Sequence, residues 1–519
     1  MSPMLRWDMP TAVMLRLRFS LNSFPRSPRF WACSRRPTRS DVKAMIDDHA
    51  LAAALGGEAA RHDLTGRAVV DLTHDSRQVG PGWAFACVPG ETSDGHDYAR
   101  QAVTAGASVL ITEHRLGLGI GEIVVGNCRR VLGAGAAAVH GHPAKSLTMV
   151  GVTGTNGKTT TTHMLSSLLG RTGWRERQIG TLYGRRTTPE APDLQRQLAT
   201  FVAEGANAVV MEVSSHALVM GRVDGMILDA AVFTNLGHDH LDLHHTAEAY
   251  FEAKASLFQP EHARVGVVNL DDPYGQRLAA EAPIEIVGYG HHQISEVMVT
   301  PDRHTYRWQG RTVEVPIGGA FNVDNSLAAL TTAEILGGDL DDVVAALADM
   351  APVPGRFELV AAPSPSTPAV IVDYAHTPDG LIGLLDSART LGDRVIIVFG
   401  CGGERDVDKR PKMGAAAVAG ADHVIVTSDN PRREDPDMII DAIVSGITTA
   451  DRHRVSVETD RRQAIIDAIG GADPGDIVVI AGKGHETTQT IGTIPHPFDD
   501  REIARAVLAD PTISGNRAP

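Results

Sequence analysis

Cysteine is nearly absent. Four occur in 519 residues, Cys33, Cys87, Cys128 and Cys401, and no two stand at the Cys-x-x-Cys spacing of a zinc or redox site. That excludes a disulfide framework and a cysteine-built metal centre, and it points to a reducing compartment, the cytoplasm. No apolar run approaches the roughly 18 residues that a bilayer-crossing helix needs, so no membrane span is expected. Positive charge is also short: 48 Lys and Arg face 63 Asp and Glu, a net charge of −15. This balance argues against a general binder of nucleic acid or acidic membranes, while local basic sites can still receive an anionic substrate. The first 40 residues lack acids instead. They hold Asp8 alone against eight arginines, Arg6, Arg16, Arg18, Arg26, Arg29, Arg35, Arg36 and Arg39. Arg- and Ser-rich, acid-poor segments resemble transit peptides. A disordered extension or a start chosen too far upstream explains residues 1–40 equally simply, because Met4, Met9, Met14 and Met45 can also initiate.

The chain that remains is too long for one ordinary domain, and its 43% apolar content lets each of several domains bury a core. Three α/β domains are expected. The first, 41–146, has short apolar runs at 68–72 and 107–112 that read as strands, with a helix at 98–105 between them. The second, 147–354, opens with the buried-strand pattern of 147–152 and continues with runs at 208–212, 230–234 and 265–269. Strands alternating with helices predict a mostly parallel sheet. Pro352-Val-Pro-Gly355 is a hinge candidate, since two prolines fix φ and the glycine permits a sharp turn. The third, 355–510, carries strand patterns at 369–373, 395–399, 423–427 and 476–480.

The strongest signal is Gly151-Val-Thr-Gly-Thr-Asn-Gly-Lys-Thr-Thr160, which leaves a strand and enters a helix expected over 161–169. Glycines there let backbone amides wrap a polyphosphate, and the helix N-terminus adds a favourable dipole. Gly154, Thr155, Asn156, Gly157, Lys158, Thr159 and Thr160 are therefore candidates for binding ATP. Lys158 can reach the outer phosphates and the Thr159 hydroxyl can ligate Mg²⁺. The usual first glycine is replaced by Val152. A plain glycine-rich turn would not need the Gly-Lys-Thr-Thr ending.

This variant loop resembles that of the Mur ligases and folylpolyglutamate synthases, and the likeness extends from about Val70 to Ala504. The chain is similar to Mur ligases of the MurE type, which add the third residue of the peptidoglycan peptide. The resemblance implies a small UDP-binding α/β domain, a central P-loop ATPase-like domain and a Rossmann-like C-terminal domain. Glu212, at the end of an apolar strand, is well placed for Mg²⁺ because ligands gather beyond strand C-termini in parallel sheets, and it matches the family's metal-binding glutamate. By resemblance, His240 in Asp239-His-Leu-Asp242 binds a second Mg²⁺, and Lys254 is the carbamylated lysine (N6-carboxylysine), a further metal ligand. The crowd of His238, His244 and His245 could suggest zinc, but no cysteine accompanies it. Asn325 resembles a residue near the nucleotide, whereas Asn322 could simply cap its helix. Arg356 and Asp373 lie in segments that resemble those closing on ATP.

The ends of the substrates are also implied by resemblance. Ser76, in Asp75-Ser-Arg77, matches a contact to the uridine diphosphate; Thr187, Thr188, Ser214 and Arg222 match contacts to the muramoyl peptide. Arg186 and Met220 depart from the asparagine and glutamine common there, and methionine cannot replace an amide hydrogen bond. Three segments, Gly400–Asp406, Asp429-Asn-Pro-Arg432 and Gly482-Lys-Gly-His-Glu486, each follow an apolar strand and can converge at one sheet edge. Asp-Asn-Pro-Arg resembles the signature of enzymes that add meso-diaminopimelate, whose second carboxylate suits a planar guanidinium. Arg405, Asp429, Asn430, Pro431, Arg432, Gly482 and Glu486 are the candidates for that site, with Glu486 on the distal ammonium. As a turn before a helix near Pro436, the first three residues need no ligand; the arginine is the informative one.

The expectation is an ATP-dependent acid–amino-acid ligase, catalysed with Lys158, Glu212, His240 and Lys254, which joins meso-2,6-diaminopimelate to UDP-N-acetylmuramoyl-L-alanyl-D-glutamate through an acyl phosphate. It would act as a monomer in cytoplasmic peptidoglycan precursor synthesis. An L-lysine-adding ligase, a folate polyglutamylating ligase and a non-catalytic nucleotide-binding scaffold are the alternatives.

Overall fold

The computed structural model describes residues 46–56, 59–90, 92–184, 186–237, 239, 241–365 and 367–509. The N-terminal extension 1–40 and His240 lie outside the described residues. Three of the six sheets among the described residues have five or six strands, and they follow one another in sequence order. The first has five strands, ordered Ala60–His62, Gly121–Val124, Val109–Thr112, Ala84–Ala86 and Leu72–Thr73, antiparallel only at its first pairing. The run expected as one strand over 68–72 is split. Ala68–Val69 pairs with Ile46–Asp47, and Leu72–Thr73 joins the five-stranded sheet. The break falls at Val70, 43% exposed, whose N–H donates to Gly82 O, and at Asp71, whose carboxylate is engaged elsewhere.

The central sheet has six strands, in the order Glu285–Tyr289, Ala263–Asn269, Leu228–Phe233, Thr148–Thr153, Ala208–Glu212 and Glu176–Ile179. Every pairing is parallel. Its inner strands Thr148–Thr153 and Ala208–Glu212 read as largely apolar runs because both of their faces are covered. Val150 and Val152 point into one core with Leu165 and Leu168 of the helix Lys158–Arg171, while Met149 points into the other with Met211 and Phe233. This alternation is the two-residue period of a strand. The helix starts at Lys158, three residues earlier than its apolar pattern suggests, because the phosphate loop itself forms the first turn.

The C-terminal sheet also has six strands: Glu358–Ala361, Ala369–Asp373, Ile477–Ala481, Val395–Phe399, His423–Val426 and Val455–Val457. Only its first pairing is antiparallel. One core cluster continues from Leu165 and Leu327 through Phe357 into Ile371 and Leu384, so packing ties this sheet to the central one. Between them Gly355 takes φ +62°, and a Cβ there would overlap the backbone of Gly484 and His485. The turn read from Pro352-Val-Pro-Gly355 is thus also the closest approach of two segments far apart in sequence. No described helix is long and apolar enough to cross a membrane.

Candidate active site

The C-terminal ends of the central and C-terminal sheets face each other across a cleft of about 600 Å³. On the central side the phosphate loop leaves the strand Thr148–Thr153. Gly157 takes φ +85°, and a Cβ on it would overlap Asn325 Oδ1; the loop can close on the helix Phe321–Ile335 only with glycine there. No side chain caps the helix that begins at Lys158, which leaves its first amides for an anion. Lys158 Nζ folds back onto the carbonyls of Gly154 and Thr155, both at 2.8 Å. Burial lowers its pKa, and the carboxylate of Glu212 opposes that shift.

Glu212 ends the strand Ala208–Glu212 and is 1% exposed. Its Oε2 accepts from Thr159 Oγ1 at 3.0 Å and Thr181 Oγ1 at 3.2 Å, and its Oε1 from Thr181 N at 2.8 Å. Lys254 is buried on the helix Ala247–Ala255. Its Nζ donates to Gly154 O at 2.8 Å and lies 4.4 Å from the Tyr250 ring centroid. Burial, then the neighbouring Lys158, puts its pKa well below the ordinary lysine value.

From the facing sheet, Arg356 Nη2 donates to Thr159 Oγ1 at 3.2 Å, and its guanidinium sits 4.1 Å from the Tyr374 ring centroid. Asp373 is oriented by the amides of Phe357 and Ala375, both at 2.7 Å, and burial raises its pKa despite Arg356. Asn325 lines the same cleft and accepts from Thr161 Oγ1 at 3.3 Å. Asn322 is not a cap. It lies inside the helix, its Nδ2 donates to Gly318 O at 2.7 Å and its Oδ1 accepts from Asn325 Nδ2 at 2.9 Å.

Thr155 through Thr160, Thr187, Glu212, Ser214, Lys254, Asn325, Arg356, Asp373, Arg405, Asp429, Asn430, Arg432, Gly482 and Glu486 all line this one cleft. Gly154 supplies the carbonyl under both lysines, and Pro431 is buried and does not line the cleft. Thr188 and Arg222 stand one layer back: Thr188 Oγ1 donates to Glu212 O at 2.9 Å and accepts from Ser214 N, and Arg222 Nη1 donates to Thr188 O. Arg186 and Arg222 both pair with Glu190, which burial would raise in pKa but these cations hold low. Ser76 sits apart, in the first unit, in the turn where Asp75 pairs with Arg77 at 2.8 Å. Thr181 escaped the sequence reading. It lies in no motif, and only the sheet order, which sets the strand Glu176–Ile179 beside Ala208–Glu212, brings it to Glu212.

The first sheet's unit is joined to the helix Ala191–Ala203 of the next unit by a buried charge. Asp71 accepts from His140 Nε2 at 3.0 Å and from Arg196 Nε at 2.8 Å. Burial would raise its pKa, but these donors hold it far below the usual carboxylate range.

Three family models match the chain: the Mur ligase middle domain over residues 152–333, the Mur ligase glutamate ligase domain over 355–484, and the Mur ligase family catalytic domain over 69–128. The chain is similar to the UDP-N-acetylmuramoyl-L-alanyl-D-glutamate–2,6-diaminopimelate ligase of Synechococcus elongatus, 45% identical over 485 residues that cover 87% of this chain and 96% of the relative. The ligase of the same name from Geobacillus kaustophilus is 43% identical over 468 residues, covering 85% and 95%. A solved structure of a UDP-N-acetylmuramoyl-L-alanyl-D-glutamate–2,6-diaminopimelate ligase matches with a TM-score of 0.61 at 35% identity, covering 85% of this chain and 95% of that one.

Proposed function

The chain belongs to the Mur ligase family, and from that premise we propose that it is the ATP-dependent ligase joining meso-2,6-diaminopimelate to UDP-N-acetylmuramoyl-L-alanyl-D-glutamate in peptidoglycan precursor synthesis. The observation that carries this reading is the shared cleft: Lys158 and Glu212 line one wall, Arg432 and Glu486 the other. A phosphoryl donor and an amine acceptor can therefore meet there. Residues 41–146 would hold the uridine diphosphate through Ser76, residues 147–354 ATP and the peptide, and residues 355–510 the amino acid. The enzyme would act as a monomer in the cytoplasm.

The donor set suits Mg²⁺. Thr159 Oγ1 and the Glu212 carboxylate are hard oxygen ligands already 3.0 Å apart, with His240 and a carbamylated Lys254 as further ligands. Bound there, the ion would neutralise charge on the transferring phosphoryl group. Lys158 exchanges two backbone carbonyls for phosphate oxygens, and the loop amides hold the chain of phosphates in place. Thr187 and Ser214, backed by Thr188 and Arg222, orient the D-glutamate γ-carboxylate, whose oxygen attacks the terminal phosphorus as ADP leaves. Diaminopimelate, its distal carboxylate held by Arg405 and Arg432 and its distal ammonium by Glu486, with Asp429 and Asn430 beside them, then attacks the acyl carbon through its other, neutral amine. Phosphate departs, a proton is lost and the amide remains. Arg356 and Tyr374 close the cleft from the C-terminal side and exclude water that would hydrolyse the acyl phosphate.

The test is the mass of the product formed from the UDP-dipeptide, ATP and meso-diaminopimelate, with phosphate release compared for L-lysine. A product carrying diaminopimelate is expected. Preferred use of lysine would identify the L-lysine-adding ligase, and ATP binding with no stimulated phosphate release would identify a scaffold.

A further inference from the structure

The amino-acid wall of the cleft is held from behind by a side chain that does not line it. Lys483 follows the strand Ile477–Ala481 and is fully buried. Its Nζ donates to Glu486 Oε2 at 2.9 Å, to the backbone oxygen of Thr488 at 2.7 Å and to Asn430 Oδ1 at 3.3 Å. Asn430 Oδ1 also accepts from Thr490 N at 2.8 Å, while its Nδ2 donates to Glu486 Oε2 at 2.9 Å and Asp429 Oδ1 at 3.0 Å. Donors on one side and carboxylates on the other leave the amide a single satisfied orientation. Both bonds to Glu486 fall on Oε2, so Oε1 stays available to a substrate ammonium.

The residues that follow Lys483 extend this brace to Arg432. They form a hairpin of Thr488–Ile491 with Ile494–Pro497. Arg432 N donates to Thr490 O at 3.1 Å, and Gly492 N donates to Arg432 O at 2.7 Å. Gln489 Nε2 donates to Asp429 O at 2.8 Å. Arg432 has φ +53°, a left-handed backbone unfavourable for arginine. Bonds on both of its backbone groups hold it there, with its guanidinium on the cleft.

We infer that Lys483 is a positioning residue for the incoming amino acid, orienting Asn430 and Glu486 and seating the hairpin that holds Arg432. It sets the affinity for diaminopimelate without touching it. This rests on the amino-acid site proposed above and adds a determinant outside its lining. Removing the amine would leave Glu486 Oε2 with Asn430 Nδ2 as its one partner and Asn430 Oδ1 held by Thr490 N alone, so both side chains would be less firmly placed.

The experiment is steady-state kinetics of the full chain, each substrate varied in turn, for wild type, Lys483→Met and Gln489→Ala. Lys483→Met is expected to raise KM for diaminopimelate about tenfold or more, with KM for ATP and for the UDP-dipeptide unchanged and kcat nearly so. Gln489→Ala, a milder lesion on the same hairpin, is expected to raise that KM about threefold. Combined with Glu486→Gln, the effect of Lys483→Met should be less than multiplicative. Wild-type KM in both variants, or an equal loss for all three substrates, would overturn the inference. If Lys483→Met does not fold, an unchanged diaminopimelate KM in Gln489→Ala overturns it alone. A wild-type enzyme that fails to use diaminopimelate sinks the functional assignment and this inference together; one that uses it, with unaltered variants, sinks only the inference.

Discussion

Lys158 and Lys254 aim their amines at one and the same backbone oxygen, that of Gly154, each at 2.8 Å. Two ammonium groups sharing one carbonyl in a buried setting repel each other, and burial together with Lys158 lowers the pKa of Lys254. A neutral amine is the form that adds CO₂, releasing a proton and leaving a carbamate. Protein equilibrated with ¹³C-bicarbonate should show a carbamate carbon signal that Lys254→Arg lacks, and that variant should lose about 10²-fold or more in kcat. Identical spectra for the two proteins would count against the modification.

Glu212 accepts hydrogens from Thr159 and Thr181, positions a divalent cation would take over. Glu212→Gln removes the negative charge this side chain offers that ion and should raise the Mg²⁺ concentration needed for phosphate release at least about tenfold. Chelation should stop the wild-type reaction. A variant with the wild-type Mg²⁺ dependence would remove Glu212 from the metal site.

The Arg432 guanidinium donates to Gly403 O at 2.6 Å and reaches the cleft as a planar fork. Arg432→Lys keeps the charge but loses bidentate geometry. KM for diaminopimelate should rise about 10–100-fold, as read from initial rates at saturating ATP. A change confined to KM for ATP would place Arg432 elsewhere.

His304 is buried, with Nδ1 on Ile317 O at 2.7 Å and Nε2 on Ser326 Oγ at 3.0 Å. Burial lowers its pKa from 6.5 to about 4. As pH falls, the unfolded chain binds the proton first. The contribution is complete above the unfolded value near 6.5 and is lost progressively as pH drops toward about 4. Between pH 7 and pH 5 the loss should be about 2 kcal/mol. Denaturant unfolding at both pH values should show that loss in wild type and a smaller one in His304→Gln.

The Arg461–Asp500 pair is wholly buried, with Arg461 Nε and Nη2 on the carboxylate at 2.9 and 2.7 Å. Arg461→Met strands a buried carboxylate and should cost about 3–5 kcal/mol. Adding Asp500→Leu should recover most of it. Thermal melts of the single and double variants decide this.

By itself the sequence determined the sheet-forming runs, the phosphate loop and the amino-acid signature, because each depends on local chemistry. Buried parallel strands must be continuously apolar, a polyphosphate loop must have glycine where amides turn inward, and a turn entering a helix carries its own residues. The run over 68–72 was misread as one strand because its apolar pattern holds no trace of which partners it would meet. Tertiary structure alone decided that Thr181 stands against Glu212, that two lysines 96 positions apart share one carbonyl, and that Lys483 sits behind Asn430 and Glu486. Those relations follow from strand order and from the closure of one sheet on another. Contacts between distant segments depend on where the whole chain packs its apolar surface, and no local spacing encodes them.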